Sequence, residues 1–450
     1  MCGIVGYKGK REAYKVLVDS LKTLEYRGYD SWGVAVSGNP SISVVKEVGM
    51  IGDADSLSDV NEINKGTMGI GHTRWATHGK VTEENSHPHL SSDGGIAVVH
   101  NGIIENYQEL KAKLKKKGYV FRSETDSEVI PYLIEDFIKN ETGISFEDAF
   151  RKMLSLLEGT YAIVAIHKDS GTMICVRKDS PIVIGIGADS GEYFIASDVP
   201  AFIEHTKNVI FLENQEMAVF NGDMKIICSV TGDVIQRKLQ VIDWDIEQAK
   251  KGEFKHYMLK EISEQKETIN KAIHQDDKVI QDIADAINES YGTFFIASGS
   301  SYHAALSASY TFSRIAKKHI NVVDSSEFPN YEHFLTPQTL MITISQSGET
   351  ADVLDAVKVA KKKGVKILSI VNVMGSSLMR NSDHSLLMNA GPEICVLSTK
   401  SYTSQLSILT LLAYASVGKL GEGKALLKCV ANHVGELIDP KVLNDTIGVA

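Results

Sequence analysis

Beyond residue 290, short apolar strands alternate regularly with helices. GTFFIASG, QTLMITIS and VKILSIVNV are typical of buried strands, whereas ALSASYTFSRIAKK and ADVLDAVKVAKKKG have helical spacing. Strands that are apolar along their whole length and joined by helices are typical of a parallel sheet with helices on both faces. The second half of the chain is therefore predicted to fold as a doubly wound, parallel α/β sheet.

The first 240 residues have a different pattern. EAYKVLVDSLKTLEY (12–26) has apolar residues at helical spacing, and GGIAVVHNGII (94–104) predicts a strand that runs into a glycine turn. Two predicted helices, DSEVIPYLIEDFIKN and FEDAFRKMLSLLEG, are followed by four strand-like runs with little between them. Strands clustered after helices predict a layered α+β sandwich.

These patterns divide the chain. We predict an N-terminal domain over residues 1–240 and a linker with a first helix over 241–270, because WDIEQAKKGEFKHYMLKEISEQ is charged and mostly helical in pattern. The parallel-sheet domain is predicted over residues 271–450. A chain of 450 residues is too long for one ordinary core, which agrees with two domains.

Composition and charge argue against several classes of protein. The 47 basic and 57 acidic residues give a net charge of −10, which disfavours a nucleic-acid or acidic-membrane partner. The longest apolar stretch, around residues 407–418, is too short to span a bilayer and predicts a buried helix. The five cysteines are scattered without paired spacing, so we expect a reducing, cytoplasmic location.

Cys2 directly follows the initiator methionine. Removal of Met1 would leave a thiol and a free α-amine on one carbon, and an α-amine with a pKa of about 8 can take the thiol proton without a histidine. This is the strategy of an N-terminal nucleophile. The alternative is that a cysteine stands second by chance, and MCG alone does not decide between the two.

Three later segments supply groups that such a nucleophile needs. GHTRWATHG contains Arg74, suited to a carboxylate, together with Trp75, Thr77 and His78. HNGIIEN places the amide of Asn101 beside Gly102, so a side-chain and a backbone N–H can form an oxyanion hole. SETDSE supplies Asp126, suited to an ammonium group. Ordinary turn chemistry and helix capping are the alternatives for each segment taken alone.

The order and wording of these motifs resemble the class II glutamine amidotransferase domain of the glutamine–fructose-6-phosphate aminotransferase family. The resemblance covers CGIVG, LEYRGYDSWG, GHTRWATHG, NSHPHL, VHNGIIEN and SETDSE. It implies a four-layer αββα sandwich in which Cys2 attacks the glutamine side-chain amide while Asn101 and Gly102 hold the oxyanion. It also implies an ammonia gate at Trp75 and glutamine-binding residues at Arg74, Thr77, His78, His87 and Asp126.

Two strand–loop–helix junctions carry the polar residues of the second half. IASGSSYHA (296–304) and ITISQSGETAD (342–352) end apolar strands in serine-rich turns, where hydroxyls and free N–H groups at a helix start suit an anion. Neither has the Gly-Lys-Ser/Thr of a nucleotide P-loop, so a sugar monophosphate is favoured over ATP. Helix capping is the alternative for each junction.

SQSGETAD and GPEICVLSTKSYTSQL resemble the sugar isomerase (SIS) domain of the same family. The resemblance implies a sugar-phosphate site, made by Ser301, Ser345, Gln346, Ser347, Thr350, Val396 and Ser398. The chain departs from the family at Ser298, where cysteine is usual, and we expect little effect on phosphate binding. The histidines of HPH (87–89) lack further ligands nearby, so no metal is expected, and no cofactor is expected either.

The family also has a second SIS domain and a C-terminal tail, which supply a glutamate, a histidine and a lysine without counterparts in this sequence. We expect either a fragment of a longer enzyme, which we favour, or a natural protein without isomerisation. The expected activity converts fructose 6-phosphate and glutamine to glucosamine 6-phosphate and glutamate, the first step of hexosamine biosynthesis, in a homodimer. Enclosed transfer is expected because ammonia in water at pH 7 mostly becomes ammonium.

Other functions remain as alternatives. Amidophosphoribosyltransferases should have a strand ending in paired aspartates before a phosphate loop, and asparagine synthetases a Ser-Gly-Gly-x-Asp loop. Neither feature is found in the sequence. A sugar-phosphate sensor with a vestigial glutaminase is the alternative from a different class, although the complete set Cys2, Arg74, Asn101 and Asp126 argues against it.

Overall fold

The computed structural model describes residues 2–38, 41–52, 54, 66–76, 78–242 and 251–438. The chain divides into two compact units, Met1–Asp243 and Trp244–Ala450.

The described part of the first unit contains two antiparallel sheets. Its strands are β1 (Gly3–Lys8), β2 (Ser31–Ser37), β3 (Ile42–Val48), β4 (Met68–Arg74), β5 (His89–Leu90), β6 (Ile96–Ile104), β7 (Gly159–His167), β8 (Thr172–Lys178), β9 (Val183–Ile186), β10 (Tyr193–Ala196), β11 (Asn208–Phe211), β12 (Glu216–Asn221), β13 (Asp223–Cys228) and β14 (Gln240–Val241). One sheet has the order β14-β11-β9-β10-β1-β4-β2-β3, and the other has the order β13-β12-β8-β7-β6-β5.

Helices cover the outer faces of both sheets. They are α1 (Ala13–Leu24), α2 (Tyr107–Lys116), α3 (Val129–Asn140) and α4 (Phe146–Leu154). The two sheets bury a shared core that includes Ile4, Ile70, Val99 and Val164. A second core lies between the β6–β7–β8 region and helices α2 to α4, while α1 packs against β1, β2 and β4. The result is the expected four-layer αββα sandwich.

Strand β6 differs from the prediction at its end. The sequence suggested a glycine turn after HN, but the strand continues through Gly102 to Ile104 and pairs with β7, opposite Thr160 and Gly159 at its last residues. Gly102 has φ +135°, and a Cβ there would lie 2.1 Å from the Thr160 carbonyl oxygen. Only glycine therefore allows this irregular backbone to stay within the sheet.

The second unit contains a parallel five-stranded sheet in its described residues, in the order β16-β15-β17-β18-β19. The strands are β15 (Gly292–Ala297), β16 (Asn321–Asp324), β17 (Thr339–Ser345), β18 (Lys366–Val371) and β19 (His384–Leu387). The helices are α5 (Tyr257–Ser263), α6 (Gln265–Ile273), α7 (Asp277–Glu289), α8 (Gly299–Thr311), α9 (Ala351–Lys362), α10 (Ser377–Arg380), α11 (Lys400–Ala415) and α12 (Leu420–Leu437).

Alternate residues of the central strands enter two separate cores. Phe295 and Ala297 of β15 pack on one face of the sheet with α11 residues, whereas Phe294 and Ile296 pack on the other face with α9 residues. The sheet is therefore doubly wound, as the sequence predicts. Within the segment 244–265, which has a mostly helical pattern, α5 spans Tyr257–Ser263 and residues 251–256 are not helical. Residues 243–250 lie outside the described part of the chain.

Candidate active site

The Cys2 thiol is held by the backbone of Trp75, the residue after β4. The Trp75 N–H donates to Cys2 Sγ at 3.3 Å, and the thiol can donate to the Trp75 carbonyl at 3.5 Å. Burial raises the pKa of the Cys2 thiol, while the hydrogen bond from Trp75 and the charges of Arg74 and Arg27 act in the opposite direction. The thiol therefore has a defined position, and it needs a base in order to ionise at neutral pH.

The Cys2 carbonyl oxygen accepts two hydrogen bonds from side chains on neighbouring elements of the unit. Asn101 Nδ2 donates to it at 2.9 Å and Arg27 Nε at 3.2 Å. The Asn101 amide nitrogen has two hydrogens, and one of them makes this bond. Among the described residues, the second hydrogen has no partner. This free donor lies beside the nucleophile, as an oxyanion site requires.

Arg27 belongs to a buried charged group that holds the first strand. Its Nη1 lies 3.1 Å from Asp198 Oδ2, and the Tyr26 hydroxyl donates to the same oxygen at 2.8 Å. Burial opposes the charge on Arg27, but Tyr26 and Asp198 together raise its pKa. Gly28 allows this turn to approach the Arg74–Trp75 backbone, because a Cβ at Gly28 would lie 2.6 Å from the Arg74 carbonyl carbon.

Asp126 lies next to the end of β6. Its Oδ2 accepts from the Ile104 N–H at 2.7 Å, and its Oδ1 accepts from the Ser127 hydroxyl at 3.2 Å. Arg74 interacts electrostatically with both Cys2 and Asp126. Arg74 is therefore within electrostatic range of both the thiol and the Asp126 carboxylate, and a guanidinium and a carboxylate can hold the two charged groups of an amino acid.

Arg74 also organises the loop that follows it. Its guanidinium donates to the carbonyl oxygens of His78 and Lys80, at 2.5 and 3.0 Å, and burial lowers its pKa. His78 is exposed, and its Nε2 lies 3.3 Å from the Tyr107 hydroxyl. The Trp75 ring packs 5.5 Å from the Tyr29 ring. Thr77 lies outside the described residues.

Four buried histidines lie behind Asn101. They are His72, His87, His89 and His100. His72 Nε2 lies 2.9 Å from Asn101 Oδ1, and its ring stacks on His87 with centroids 4.3 Å apart. His87 Nδ1 accepts from the His100 backbone N–H at 3.2 Å. His87 is therefore placed one layer behind Asn101, and no described contact joins its ring to Cys2.

Burial keeps these imidazoles neutral. It lowers the pKa of His72 to about 3, against the opposing effect of the hydrogen bond to Asn101, and lowers those of His87 and His89 well below the usual value. Asn101 Nδ2 donates to Cys2, so Asn101 Oδ1 faces His72 and must accept from His72 Nε2–H. A neutral His72 with this tautomer fixes the orientation of the Asn101 amide.

The second unit places a hydroxyl-rich loop between β17 and α9. Ser345 Oγ lies 2.9 Å from Thr350 Oγ1 and accepts from the Gly348 N–H at 3.0 Å. Ser347 Oγ accepts from the Glu349 N–H at 3.2 Å, and the Gln346 carbonyl accepts from Asn372 N–H. Thr350 is the N-cap of α9, so the loop combines hydroxyls with the positive end of a helix dipole.

Ser301 lies in the first turn of α8, after the strand adjacent to β17. Its Oγ accepts from Gln405 Nε2 of α11 at 3.0 Å. Ser398 precedes α11, and its hydroxyl contacts Ser401 Oγ at 2.5 Å and Glu393 at 3.3 Å. Val396 is 60% exposed. Ser298, where the family usually has cysteine, makes a hydroxyl–hydroxyl contact with Ser325.

Several contacting residues were not predicted from the sequence. Arg27 and His72 lie within quoted motifs, LEYRGYDSWG and GHTRWATHG, but had no assigned role. Glu393 and Gln405 lie within the quoted motif GPEICVLSTKSYTSQL but likewise had no assigned role, whereas Asp198 comes from a distant part of the chain that no quoted motif covers. Their signal is three-dimensional: each is a polar side chain hydrogen-bonded to a predicted site residue or its neighbour.

Two findings concern ligands and membranes. Within the described residues, histidine, cysteine and carboxylate side chains nowhere form a group of three or more able to hold a metal ion. Every helix in the described part of the chain is too short or too polar to span a lipid bilayer.

The fold and the two sites define a glutamine amidotransferase unit followed by a sugar isomerase unit. The family model described as a glutamine amidotransferase domain matches residues 72–204, and the SIS domain model matches residues 287–415. The chain belongs to the family of the glutamine–fructose-6-phosphate aminotransferases (isomerizing). It is thus a member of a family of enzymes, as the sequence resemblance indicated.

Three relatives with that name illustrate the similarity. The protein from Thermococcus kodakarensis is 47% identical over 424 residues, which are 94% of this chain and 70% of the relative. The protein from Pyrococcus horikoshii is 45% identical, over 99% of this chain and 75% of the relative. The protein from Caldanaerobacter subterraneus is 44% identical, over 92% of this chain and 68% of the relative.

Proposed function

We propose that the first unit hydrolyses the side-chain amide of glutamine and that the second unit binds fructose 6-phosphate as the acceptor of the nitrogen. The product would be glucosamine 6-phosphate, with glutamate as the co-product. The observation that carries the proposal is the arrangement at Cys2. Its thiol accepts a hydrogen bond from the Trp75 N–H, and its carbonyl oxygen accepts one from Asn101 Nδ2. The names of the relatives support the choice of substrates.

In the proposed reaction, removal of Met1 frees the α-amine of Cys2. The amine takes the thiol proton, and Sγ forms a bond to the amide carbon of the glutamine side chain. The oxyanion accepts from the second Asn101 Nδ2–H and from the Gly102 N–H. When the C–N bond breaks, the amine returns the proton to the leaving nitrogen, and ammonia departs. Water then hydrolyses the thioester, which releases glutamate and restores the thiol.

We assign the charged ends of glutamine to the groups beside the thiol. The α-carboxylate would bind Arg74, and the α-ammonium would bind Asp126, whose oxygens already accept from Ile104 and Ser127. We also include Thr77, His78 and His87 in the proposed glutamine site, because the family resemblance implies them. Trp75 would gate the ammonia, since its backbone holds the nucleophile.

In the second unit, the phosphate would bind in the loop from Ser345 to Thr350. The loop offers hydroxyls and the N-terminus of α9, and it carries no obligatory cation. Ser301 would bind on the neighbouring strand end, and Val396 and Ser398 would close the pocket. We also propose that the protein is a cytoplasmic homodimer. It would have no nucleic-acid partner, because its net charge of −10 disfavours binding to a polyanion.

The test is the variant Cys2→Ala, assayed for glutamate release and, separately, for amino-sugar formation from fructose 6-phosphate. We expect glutamate release to disappear while the fold, measured by circular dichroism, is unchanged. The control is Cys228→Ala, which removes a thiol of the same unit that is distant in sequence from every proposed site residue. Persistent glutamate release by Cys2→Ala would refute the assignment of the nucleophile.

The same assay separates the alternative. A wild-type protein that produces glutamate but no amino sugar would be a glutaminase joined to a sugar-binding unit. A wild-type protein that produces neither, yet binds fructose 6-phosphate, would be a sugar-phosphate sensor.

A further inference from the structure

The loop between β19 and α11 carries Val396 and Ser398 of the proposed sugar-phosphate pocket. Residues 388–399 form no strand or helix, so their backbone groups need partners from outside regular secondary structure. Two carboxylates, the half-buried Glu393 and the buried Glu261, provide these partners. One belongs to the loop itself, and the other belongs to helix α5, more than 130 positions earlier in the chain.

Glu393 holds the C-terminal part of the loop. Its Oε1 accepts from the Thr399 and Ser401 N–H groups, at 2.9 and 3.0 Å, and its Oε2 accepts from the Ser401 and Ser398 hydroxyls. The four bonds fix the start of α11 and set the direction of the Ser398 side chain.

Glu261 of α5 holds the N-terminal part of the loop. Its Oε1 accepts from the Ile394 N–H at 2.6 Å and from the Cys395 N–H at 3.0 Å. The next backbone positions are Val396 and Leu397, whose side chains are 60% and 58% exposed, so they contribute little packing to hold the loop. Without Glu261, two N–H donors directly before the pocket residues would lose their acceptor.

The segment that contains Glu261 also binds Lys400, the first residue of α11. Lys400 is 1% exposed, and its Nζ donates to Glu264 Oε2 at 2.6 Å. Lys260 lies 3.3 Å from the other oxygen of Glu264. Residues 260–264 therefore contact the loop at both ends, through Glu261 at residues 394–395 and through Glu264 at residue 400.

The chemistry of Glu261 is unfavourable for a purely stabilising residue. It is 1% exposed, and its Oε2 is buried without a hydrogen-bond partner among the described residues. Burial raises its pKa, Glu393 raises it further, and Lys400 and the two backbone donors act in the opposite direction. Burying a carboxylate with one bare oxygen costs stability, and such costs are typical of positions kept for function.

We infer that Glu261 is a positioning residue of the sugar-phosphate pocket, which holds residues 394–398 in the conformation that contacts the sugar. The inference rests on the proposed function, because it assumes that this loop closes over a sugar phosphate. It predicts that loss of Glu261 weakens binding of the sugar phosphate but not of phosphate alone, whereas a general loss of stability would weaken both. The loop from Ser345 to Thr350 lies on another strand end and would keep its affinity for phosphate alone.

The experiment compares Glu261→Ala, Glu261→Gln and the control Glu267→Ala, which removes an exposed glutamate of α6 that pairs with Lys271. Isothermal titration measures binding of fructose 6-phosphate and of inorganic phosphate to each full-length variant. We expect Glu261→Ala to weaken fructose 6-phosphate about tenfold or more, because two hydrogen bonds to a charged acceptor are lost. Inorganic phosphate should bind within about twofold of wild type, a change too small to indicate loss of any one such bond.

Glu261→Gln should recover most of the affinity, since its amide oxygen can accept the same two N–H groups. If Glu261→Ala does not fold, Glu261→Asp replaces it, because it keeps the charge but is too short to reach both donors. Unchanged fructose 6-phosphate affinity in the folded variant, or an equal loss of phosphate and sugar-phosphate affinity, overturns the inference. A wild type that binds neither ligand instead overturns the proposed function and the inference with it.

Discussion

The four buried histidines of the first unit should make its stability depend steeply on pH. Each imidazole has a lowered pKa in the folded state because of burial, whereas the unfolded chain has the ordinary value of about 6.5. Below pH 6.5 the unfolded state therefore binds protons that the folded state does not bind, and stability falls as the pH falls.

Down to about pH 5.5, the loss of unfolding free energy depends only on the histidine pKa in the unfolded chain. The reason is that the folded protein does not yet bind the proton, since the folded pKa of His72 is about 3. One pH unit below 6.5, each such group costs about 1.4 kcal/mol of unfolding free energy. His72, His87 and His89 together cost about 4 kcal/mol between pH 7.5 and 5.5, and His100, whose pKa is also lowered by burial, adds to this loss. This is comparable with the whole stability of many domains.

The assay is urea unfolding at pH 7.5, 6.5 and 5.5, followed by the fluorescence of Trp75 and of Trp32, which is 2% exposed in β2. A Trp244→Phe background limits tryptophan emission to the first unit. His89→Gln should recover about 1.4 kcal/mol of the pH-dependent loss. His78→Gln, whose ring is exposed, is the matched control. A total loss below about 1.4 kcal/mol over this range would contradict the reasoning, because it would mean that at most one histidine is held neutral.

Two further predictions concern the sites themselves. Asn101→Ala should lower kcat for glutamate release by about 100- to 1000-fold with little change in KM, because it removes one oxyanion donor. A kinetic assay with the exposed control Asn221→Ala checks this prediction. An unchanged kcat would exclude Asn101 from the oxyanion site. Ser345→Ala should weaken binding of inorganic phosphate by about fivefold to tenfold in isothermal titration, because a hydroxyl of the β17–α9 loop is lost. Equal affinity would place the phosphate elsewhere.

The fold was largely accessible from the sequence because hydrophobic periodicity is local. The helix predicted over 12–26 is α1, and the alternation beyond residue 290 gives the parallel sheet. The order of the strands within the two antiparallel sheets was not accessible. β1, for example, lies between β4 and β10, and such long-range pairing leaves no mark in the spacing of nearby residues.

The site was accessible only in part, for a similar reason. Cys2, Arg74 and Asn101 could be predicted as site residues because their chemistry and motifs are visible locally. The role of His72 required knowing that β4 and β6 come from different sheets yet bring His72 and Asn101 within hydrogen-bond distance. His87 was predicted as a glutamine ligand by resemblance, and the structure places its ring among the buried histidines, between His72 and His89.

The proposed hydrolysis of glutamine depends most directly on the free α-amine of Cys2. The decisive measurement is the intact mass of the purified, active protein, combined with its rate of glutamate release. We expect a mass lower than that of the full translated sequence by one methionine residue. Full glutaminase activity in a protein that retains Met1 would contradict it, because the amine would then be part of a peptide bond and could not take the thiol proton.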